Sequence, residues 1–214
     1  MPTHTSYMPA ERVLSLLEPH YPAYDTVLTY DTPWQLLISI ILSAQCTDDQ
    51  VNRATPALFK ALPTPQAMVK APLPKIEKLI FSTGFYKNKA KNIQAAARAI
   101  LRDHDWIIPN SMERLVTIPG VGRKTANVYL HIVHRKTEGV VVDTHIFRVS
   151  KRTGVSKGNT PEQVERDVME QLPKAQWKRY GDVLIQHGRK VCHARKPACG
   201  ECVLREECPK LFVE

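Results

Sequence analysis

The chain has 214 residues, enough to bury a sizeable core as one large domain or two small ones. Thirty Lys and Arg against 21 Asp and Glu give a net charge of +9 and a pI near 9.4, which favours a polyanionic partner, most often nucleic acid, over an ordinary basic surface. The longest apolar run, Leu36 to Leu42, is broken by Ser39 and falls far short of the roughly 20 residues that cross a bilayer, so we expect no membrane partner.

Proline after threonine marks three predicted helix starts, because a capping hydroxyl then precedes a residue whose missing N–H costs nothing: Thr32-Pro33, Thr64-Pro65 and Thr160-Pro161. Thr160 with Gln163, and Asn110 with Glu113, resemble capping boxes. Thr55-Pro56 predicts either a kink or a helix restart.

Residues 33–44 are apolar on nearly every side, which predicts a helix at the buried centre of its domain. Only residues 140–142 have the β-branched pattern of an extended segment, too little for a sheet. The predicted fold class is therefore all-α.

Residues 115–133, LVTIPGVGRKTANVYLHIV, contain a glycine turn that leads into a helix starting near Arg123. Gly120 and Gly122 favour a tight turn whose backbone N–H groups bind a phosphate at the helix N-terminus. Arg123 before the lysine excludes the Walker loop, and Thr125 stands where the dinucleotide loop needs its third glycine. The pattern fits a helix-hairpin-helix, although an ordinary helix connection stays open.

Lys124 lies in the first turn of that predicted helix. The positive end of the helix dipole disfavours an ammonium there and favours a free amine, which can attack a sugar carbon and form a Schiff base. The alternative is that Lys124 only neutralises a phosphate.

Residues 140–152, VVVDTHIFRVSKR, place Asp143 at the predicted N-cap of a helix. Capping is the simpler interpretation of this residue. An ionised carboxylate at this position can also stabilise the oxocarbenium-like sugar that forms when an N-glycosidic bond breaks. His145 is either a pocket group or a hydrogen-bonded core histidine.

Four of the five cysteines form a C-x6-C-x2-C-x5-C array: Cys192, Cys199, Cys202 and Cys208. Met1 to Pro9 lacks the basic start and apolar stretch of a secretory signal, so we expect a reducing, cytoplasmic compartment where clustered thiols bind metal. An iron–sulfur cluster is favoured over a zinc ion, because only one C-x2-C pair is present, and disulfides or free thiols also stay open.

The order of LSAQCTD (42–48), IPGVGRKTA (118–126), VDTHIFRV (142–149) and the cysteine array resembles the endonuclease III family of helix-hairpin-helix DNA glycosylases. The resemblance implies two helical domains with a DNA groove between them. One is a six-helix barrel with the helix-hairpin-helix at 26–138, and the other, at 1–25 and 139–214, carries one [4Fe-4S] cluster.

The same resemblance implies the site residues and their roles. Lys124 matches the Schiff-base lysine, Asp143 the catalytic aspartate, and the four cysteines the cluster ligands. Gln45 and Phe85 match the residues that wedge into the base stack, although an aliphatic residue is expected at Phe85. The further expected DNA contacts are Lys87, Lys89, Lys91, Gly120, Gly122, Arg123, Thr125, Arg195 and Lys196, and the expected lesion-pocket residues are Asp48 and His145.

The implied activity is base excision repair by a monomer that associates with the bacterial nucleoid through DNA. An oxidised pyrimidine leaves the duplex and its sugar, Lys124 forms a Schiff base, and β-elimination nicks the abasic site. Two alternatives remain. An adenine mismatch glycosylase usually lacks the lysine, and a non-catalytic DNA-binding module leaves the pairing of Lys124 and Asp143 to chance.

Overall fold

A computed structural model of the chain describes residues 7–23 and 26–213. Residues 1–6, 24, 25 and 214, which include most of the segment predicted to lack a secretory signal, lie outside the described residues. Within the described part there is no β-strand, which confirms the all-α prediction, and no helix there is both long and apolar enough to span a membrane.

The chain divides into two compact units. The central unit is Thr26–Lys136, and the terminal unit combines Met1–Asp25 with Thr137–Glu214. Single 3₁₀ turns lie at Glu18–His20, Phe81–Thr83 and Cys199–Glu201, and the α-helices of the described residues are α1 (Ala10–Leu17), α2 (Pro33–Leu42), α3 (Asp48–Ala61), α4 (Pro65–Lys70), α5 (Leu73–Ile80), α6 (Tyr86–Asp103), α7 (Met112–Leu115), α8 (Arg123–His134), α9 (Thr144–Thr153), α10 (Pro161–Gln171) and α11 (Lys174–Lys190).

Helix α2 is the buried centre of the central unit, as predicted. Every residue from Leu36 to Leu42 is at most 6% exposed, and α2 packs against α3, α6 and α8. Because α2 is apolar on all sides, only a full ring of neighbouring helices removes its surface from water. The requirement to surround α2 therefore sets the arrangement of this unit.

The three predicted helix starts are confirmed. Thr32, Thr64 and Thr160 each accept a hydrogen bond from the backbone N–H three residues on, at 3.2, 3.2 and 3.3 Å. Proline follows each threonine at the first helical position, where no backbone donor is lost.

The finer capping predictions need correction. The Gln163 side chain accepts from the backbone N–H of Asn159 at 2.7 Å, so the reciprocal bond falls one residue before Thr160. The N-cap of α7 is Ser111 rather than Asn110, and it makes no side-chain cap bond. Pro56 lies inside α3, which continues across it without a restart.

The terminal unit buries its own core, which includes Val13, Leu17, Val149, Val183 and Leu184, all 0% exposed. Helix α11 packs against α9, α1 and α10. Residues 140–142 lead into α9 without forming a strand. Helix α9 and the cysteine segment thus belong to one compact unit.

The two glycines of the turn before α8, Gly120 and Gly122, have different structural environments. Gly120 has a φ of +80°, and a Cβ there would lie 2.9 Å from Asn92 Cβ and 3.4 Å from Ile41 Cγ2. Gly122 has a φ of −85°, and a Cβ there would meet no atom within 4 Å. Of these two positions, only 120 requires glycine.

Gly120→Ala should therefore lower the free energy of unfolding by about 2 kcal/mol, because it combines a left-handed Cβ with a close contact. Gly122→Ala is the matched control and should unfold within about 0.5 kcal/mol of the wild type. Thermal or denaturant unfolding of both variants measures the difference. Equal destabilisation by the two substitutions would contradict this account of the turn.

Candidate functional site

The glycine turn delivers Lys124 to the surface at the start of α8. Ala126 and Asn127 on the next turn are buried and anchor the helix, whereas Arg123 and Lys124 are exposed and Thr125 is half-buried. Lys124 Nζ makes no hydrogen bond or ion pair with the described residues. The amine is thus accessible at the positive end of the helix, beside the open backbone of Gly122.

Asp143 caps α9, as predicted, but with only one of its two carboxylate oxygens. Oδ1 accepts from the backbone N–H of His145 and of Ile146, both at 2.8 Å. Oδ2 has no hydrogen-bond partner among the described residues, and the side chain is half-buried. Capping and a second, chemical role are therefore compatible, because one oxygen fixes the carboxylate and the other remains available.

His145 is held in place by Arg148, a residue that the sequence analysis missed. Arg148 Nη2 lies 3.1 Å from His145 Nδ1 and also donates to the Gly188 carbonyl at 2.9 Å, while Nε donates to the Cys192 carbonyl at 3.0 Å. A Cβ on Gly188 would lie 2.8 Å from His145 Cβ. Both alternatives for His145 persist, since its ring is hydrogen-bonded and half-buried rather than enclosed.

Two residues predicted to enter the base stack share an uncommon backbone conformation. Gln45 has a φ of +52° and Phe85 a φ of +48°, both in the left-handed region that a non-glycine residue rarely adopts. Both side chains are exposed, Phe85 to 66%. Such strain concentrates at functional sites, where the surrounding structure maintains it. Asp48, predicted for the lesion pocket, begins α3 three residues after Gln45 and is half-buried.

The basic residues predicted to contact phosphates are exposed with one exception. Lys87, Lys91, Arg195 and Lys196 are exposed, and Lys196 has a left-handed φ of +51°. The prediction for Lys89 is contradicted, because its side chain is 5% exposed and its Nζ donates to the carbonyls of Leu42 and Thr83 at 2.8 and 2.7 Å. Lys87 and Lys91, four residues apart on α6, share an exposed helix face, whereas Lys89 lies on a buried face.

All four clustered cysteines line one cavity of the terminal unit, together with apolar side chains such as Val149 and Leu204. Among the described residues, no three His, Cys, Asp or Glu side chains are placed to share a single metal ion. A [4Fe-4S] cluster needs no such convergence, because each cysteine ligates its own iron. Four cysteines that line one cavity match the four ligands that a [4Fe-4S] cluster requires.

Hydrogen-bond donors reach two of the cysteine sulfurs, whereas burial disfavours the charged form of the thiols. Arg152 Nη1 donates to Cys192 Sγ at 3.4 Å, and the Leu204 N–H donates to Cys202 Sγ at 3.4 Å. Burial raises the pKa of the Cys202 and Cys208 thiols, and the neighbouring cysteines raise it further. Four thiolates here thus need a bound cationic group, which iron supplies.

A buried histidine adds a further contact to this cavity. His187 is 2% exposed, its Nδ1 is 2.9 Å from the Tyr21 hydroxyl, and its Nε2 is 3.6 Å from Cys202 Sγ. Burial lowers the pKa of His187 to about 4, so the ring is neutral at pH 7. When Tyr21 donates to Nδ1, the Nε2–H faces the sulfur. The sequence contains a pattern that could have indicated Arg152, because Arg148 and Arg152 lie four residues apart and so share one face of α9. No comparable pattern indicates His187.

Comparisons with known proteins match both the region that contains Lys124 and Asp143 and the cysteine segment. The family of HhH-GPD superfamily base excision DNA repair proteins matches residues 38–174, and the iron–sulfur binding domain of endonuclease III matches residues 192–208. The helix-hairpin-helix interpretation and the iron–sulfur cofactor are confirmed, and zinc is not supported.

Similar proteins and structures match over nearly their full lengths. Endonuclease III of Synechocystis is 49% identical over 200 residues, covering 94% of this chain and 91% of its own length. Endonuclease III of Rickettsia prowazekii is 40% identical, with 92% of each chain covered. The structure of a trapped endonuclease III–DNA covalent intermediate aligns with a TM-score of 0.88 at 35% identity, covering 94% of this chain and 96% of that one. The chain therefore belongs to the endonuclease III family, the bifunctional DNA glycosylases and abasic-site lyases of the HhH-GPD superfamily.

Proposed function

We propose that this chain excises oxidised pyrimidines from duplex DNA and nicks the abasic sites that result, with Lys124 as the nucleophile and Asp143 as its partner. The observation that carries the proposal is the exposed Lys124 amine, which no described residue engages, at the start of a helix whose N-terminal turn is open. The related structure described as a covalent intermediate with DNA supports the same chemistry.

The Lys124 amine first has to lose its proton, so that its lone pair can attack C1′ of the sugar. The N-glycosidic bond breaks and its electron pair leaves with the base, which takes up a proton. The nitrogen then loses a proton and its lone pair forms the imine, while the sugar ring opens at the C1′–O4′ bond and O4′ takes up a proton. The imine acidifies the C2′ hydrogens, and loss of one of them expels the 3′ phosphate. Hydrolysis of the imine regenerates the amine.

Asp143 contributes through the oxygen that is not used for capping. Oδ1 is fixed by the two N–H groups of α9, so Oδ2 presents negative charge without reorganising during the reaction. That charge stabilises the positive sugar as the base departs, or accepts a proton from the attacking amine. His145, two residues on, is proposed as a pocket group together with Asp48.

The remaining predicted residues are assigned to the DNA itself. The backbone of Gly120 and Gly122, with Arg123 and Thr125, binds a phosphate without reading sequence. Gln45 and Phe85 fill the space that the displaced base leaves in the stack. Exposed cations neutralise further phosphates: Lys87, Lys91, Arg195 and Lys196.

We also propose that the helix-hairpin-helix barrel is residues 26–138 and the cluster domain is residues 1–25 with 139–214. Cys192, Cys199, Cys202 and Cys208 would hold one [4Fe-4S] cluster, which would cross-link the segment that carries Arg195 and Lys196. With four cysteine ligands no iron is left open for substrate. The chain would act as a monomer on cytoplasmic, nucleoid DNA.

Borohydride added during turnover should trap a covalent complex between the protein and lesion-bearing DNA, because the imine is reducible. Lys124→Gln should reduce the trapped fraction to background, as seen on a denaturing gel. Lys60→Gln, an exposed lysine on α3 outside the proposed site, is the control and should trap like the wild type. Trapping by Lys124→Gln at the control yield would assign the nucleophile to another amine.

Asp143→Asn should keep the helix cap, since the amide oxygen accepts the same two N–H bonds, while the negative charge is lost. Single-turnover base excision should fall by about 100-fold or more. Affinity for lesion-bearing DNA should change by less than about 3-fold, and the melting temperature should be nearly unchanged. An unchanged excision rate would leave Asp143 with the capping role alone.

Protein purified without exposure to oxidants should be yellow-brown and contain about four iron and four sulfide per chain. Replacing any one of the four cysteines by Ser should lower both contents together, as measured by metal and acid-labile sulfide analysis. Cys46→Ser is the control and should keep full cluster content, because Cys46 belongs to the central unit. A single zinc per chain with no sulfide would overturn the ligand assignment.

A further inference from the structure

Lys89 is buried where two exposed loops of the central unit begin. The first loop follows α2 and contains Gln45, and the second follows the 3₁₀ turn Phe81–Thr83 and contains Phe85. Lys89 Nζ donates to the last carbonyl of α2, Leu42 O, at 2.8 Å and to Thr83 O at 2.7 Å. One ammonium therefore connects the base of both loops.

The backbone of Lys89 holds the second loop as well. Its N–H donates to the carbonyl of Phe85, the N-cap of α6, at 3.1 Å. Lys89 therefore contacts the loop at two places, at Thr83 through Nζ and at Phe85 through its backbone N–H. Phe85 has no side-chain cap bond, and a Cβ on Gly84 would meet nothing within 4 Å. Packing around the tip of this loop thus does little to fix Phe85.

The first loop depends on the same contact. Helix α2 ends at Leu42, and Cys46 N–H donates to Ser43 O at 3.1 Å, closing a turn with Gln45 in its left-handed position. Carbonyls at a helix C-terminus lack partners within the helix, and a cation there also interacts favourably with the helix dipole. The Lys89 ammonium supplies both the hydrogen-bond donor and the positive charge at Leu42, where the turn begins.

Burying the Lys89 ammonium costs desolvation free energy. A lysine at this position therefore indicates a role for its two hydrogen bonds beyond filling space. Lys89 is 5% exposed, and burial lowers the pKa of its ammonium. No carboxylate pairs with it among the described residues. A methionine would fill the same space without the desolvation cost, so hydrophobic burial alone does not explain a lysine here.

We propose that Lys89 is a positioning residue for base displacement: its ammonium fixes the Gln45 and Phe85 loops relative to each other, so that both enter the stack together. The inference rests on the proposed wedge roles of these two residues. Both have left-handed backbones that need support from their surroundings, and the link through Lys89 supplies it to both. The residue acts through the loops and does not touch the substrate.

The test compares two reactions of the same enzyme. Excision of thymine glycol requires a stacked base to leave the duplex, whereas β-elimination at a preformed abasic site has no base to unstack. Lys89→Met should slow single-turnover excision by about 10- to 100-fold, because displacing a loop by about 1 Å has effects of that size. Elimination at the abasic site should slow by less than about 3-fold, so the ratio of the two rates falls.

Gln94 on the same helix provides a matched control. Gln94 is also buried and donates from one nitrogen to two backbone carbonyls, Met68 O at 3.3 Å and Ala71 O at 2.8 Å, but it connects α6 to the end of α4 rather than to either loop. Gln94→Met should lower the melting temperature and leave the ratio of the two rates at the wild-type value. The comparison with Gln94→Met therefore distinguishes a general loss of stability in the unit from a change in the position of the two loops.

A fluorescence measurement reports the loops directly. With 2-aminopurine next to the lesion, the wild type should give a rise in emission on binding as the stack opens, and Lys89→Met should give a smaller rise. In a Gln45→Ala background, Lys89→Met should slow excision less than it does alone, because the shared effect is already lost. Lys89→Gln, one bond shorter than lysine, replaces Lys89→Met in every measurement if the latter does not fold.

An active wild type whose rate ratio is unaffected by Lys89→Met, or is affected equally by Gln94→Met, would overturn the positioning role. A wild type that neither excises thymine glycol nor cuts abasic sites would instead overturn the proposed function, and the inference with it.

Discussion

The burial of helix α2 is the constraint on which the central unit depends. Because α2 is apolar on all faces, neighbouring helices have to enclose it, and its ends are then fixed relative to them. Ile41 lies against Gly120, so the hairpin turn that carries Lys124 is packed directly on the buried helix. The carbonyl of Leu42, the last residue of α2, accepts a hydrogen bond from the Lys89 ammonium, and the turn that contains Gln45 follows directly. Residues at the end of α2 therefore both pack the core and position the turns that carry Lys124 and Gln45.

Helix N-termini place both residues of the proposed reaction, but in different ways. At α8 the cap is a glycine, which leaves backbone open to a phosphate and puts Lys124 at the positive end of the helix. At α9 the cap is the carboxylate of Asp143, and one of its oxygens satisfies two backbone donors while the other stays available. The same elementary feature, unsatisfied N–H groups at a helix start, thus leaves backbone donors open in one unit and places a carboxylate in the other.

The terminal unit links its cysteine segment to the helix that carries Asp143. Arg148 and Arg152, one turn apart on α9, donate to the carbonyls of Cys192 and of the two residues that follow it. Donors to Cys192 and Cys202 sulfur come from Arg152 and the Leu204 N–H, and His187 lies beside Cys202. These contacts hold a segment with little regular secondary structure: two arginines of α9 donate to three of its carbonyls and to one of its sulfurs.

The sequence by itself determined the all-α class, the three Thr-Pro helix starts, the buried α2 and the cap of α9, because these follow from local spacing and from backbone chemistry at helix ends. Its motifs also determined the family, since four of them occur in a fixed order. The tertiary structure decided what local spacing does not contain. Lys87, Lys89 and Lys91 alternate in sequence, yet only Lys89 turns inward, where it donates to the carbonyl of Leu42, 47 residues away, as well as to that of Thr83. Likewise Gly120 and Gly122 look equivalent in sequence, but only Gly120 meets Asn92 and Ile41. Contacts between residues distant in sequence depend on how the helices pack, and the pattern within any one helix does not specify that packing.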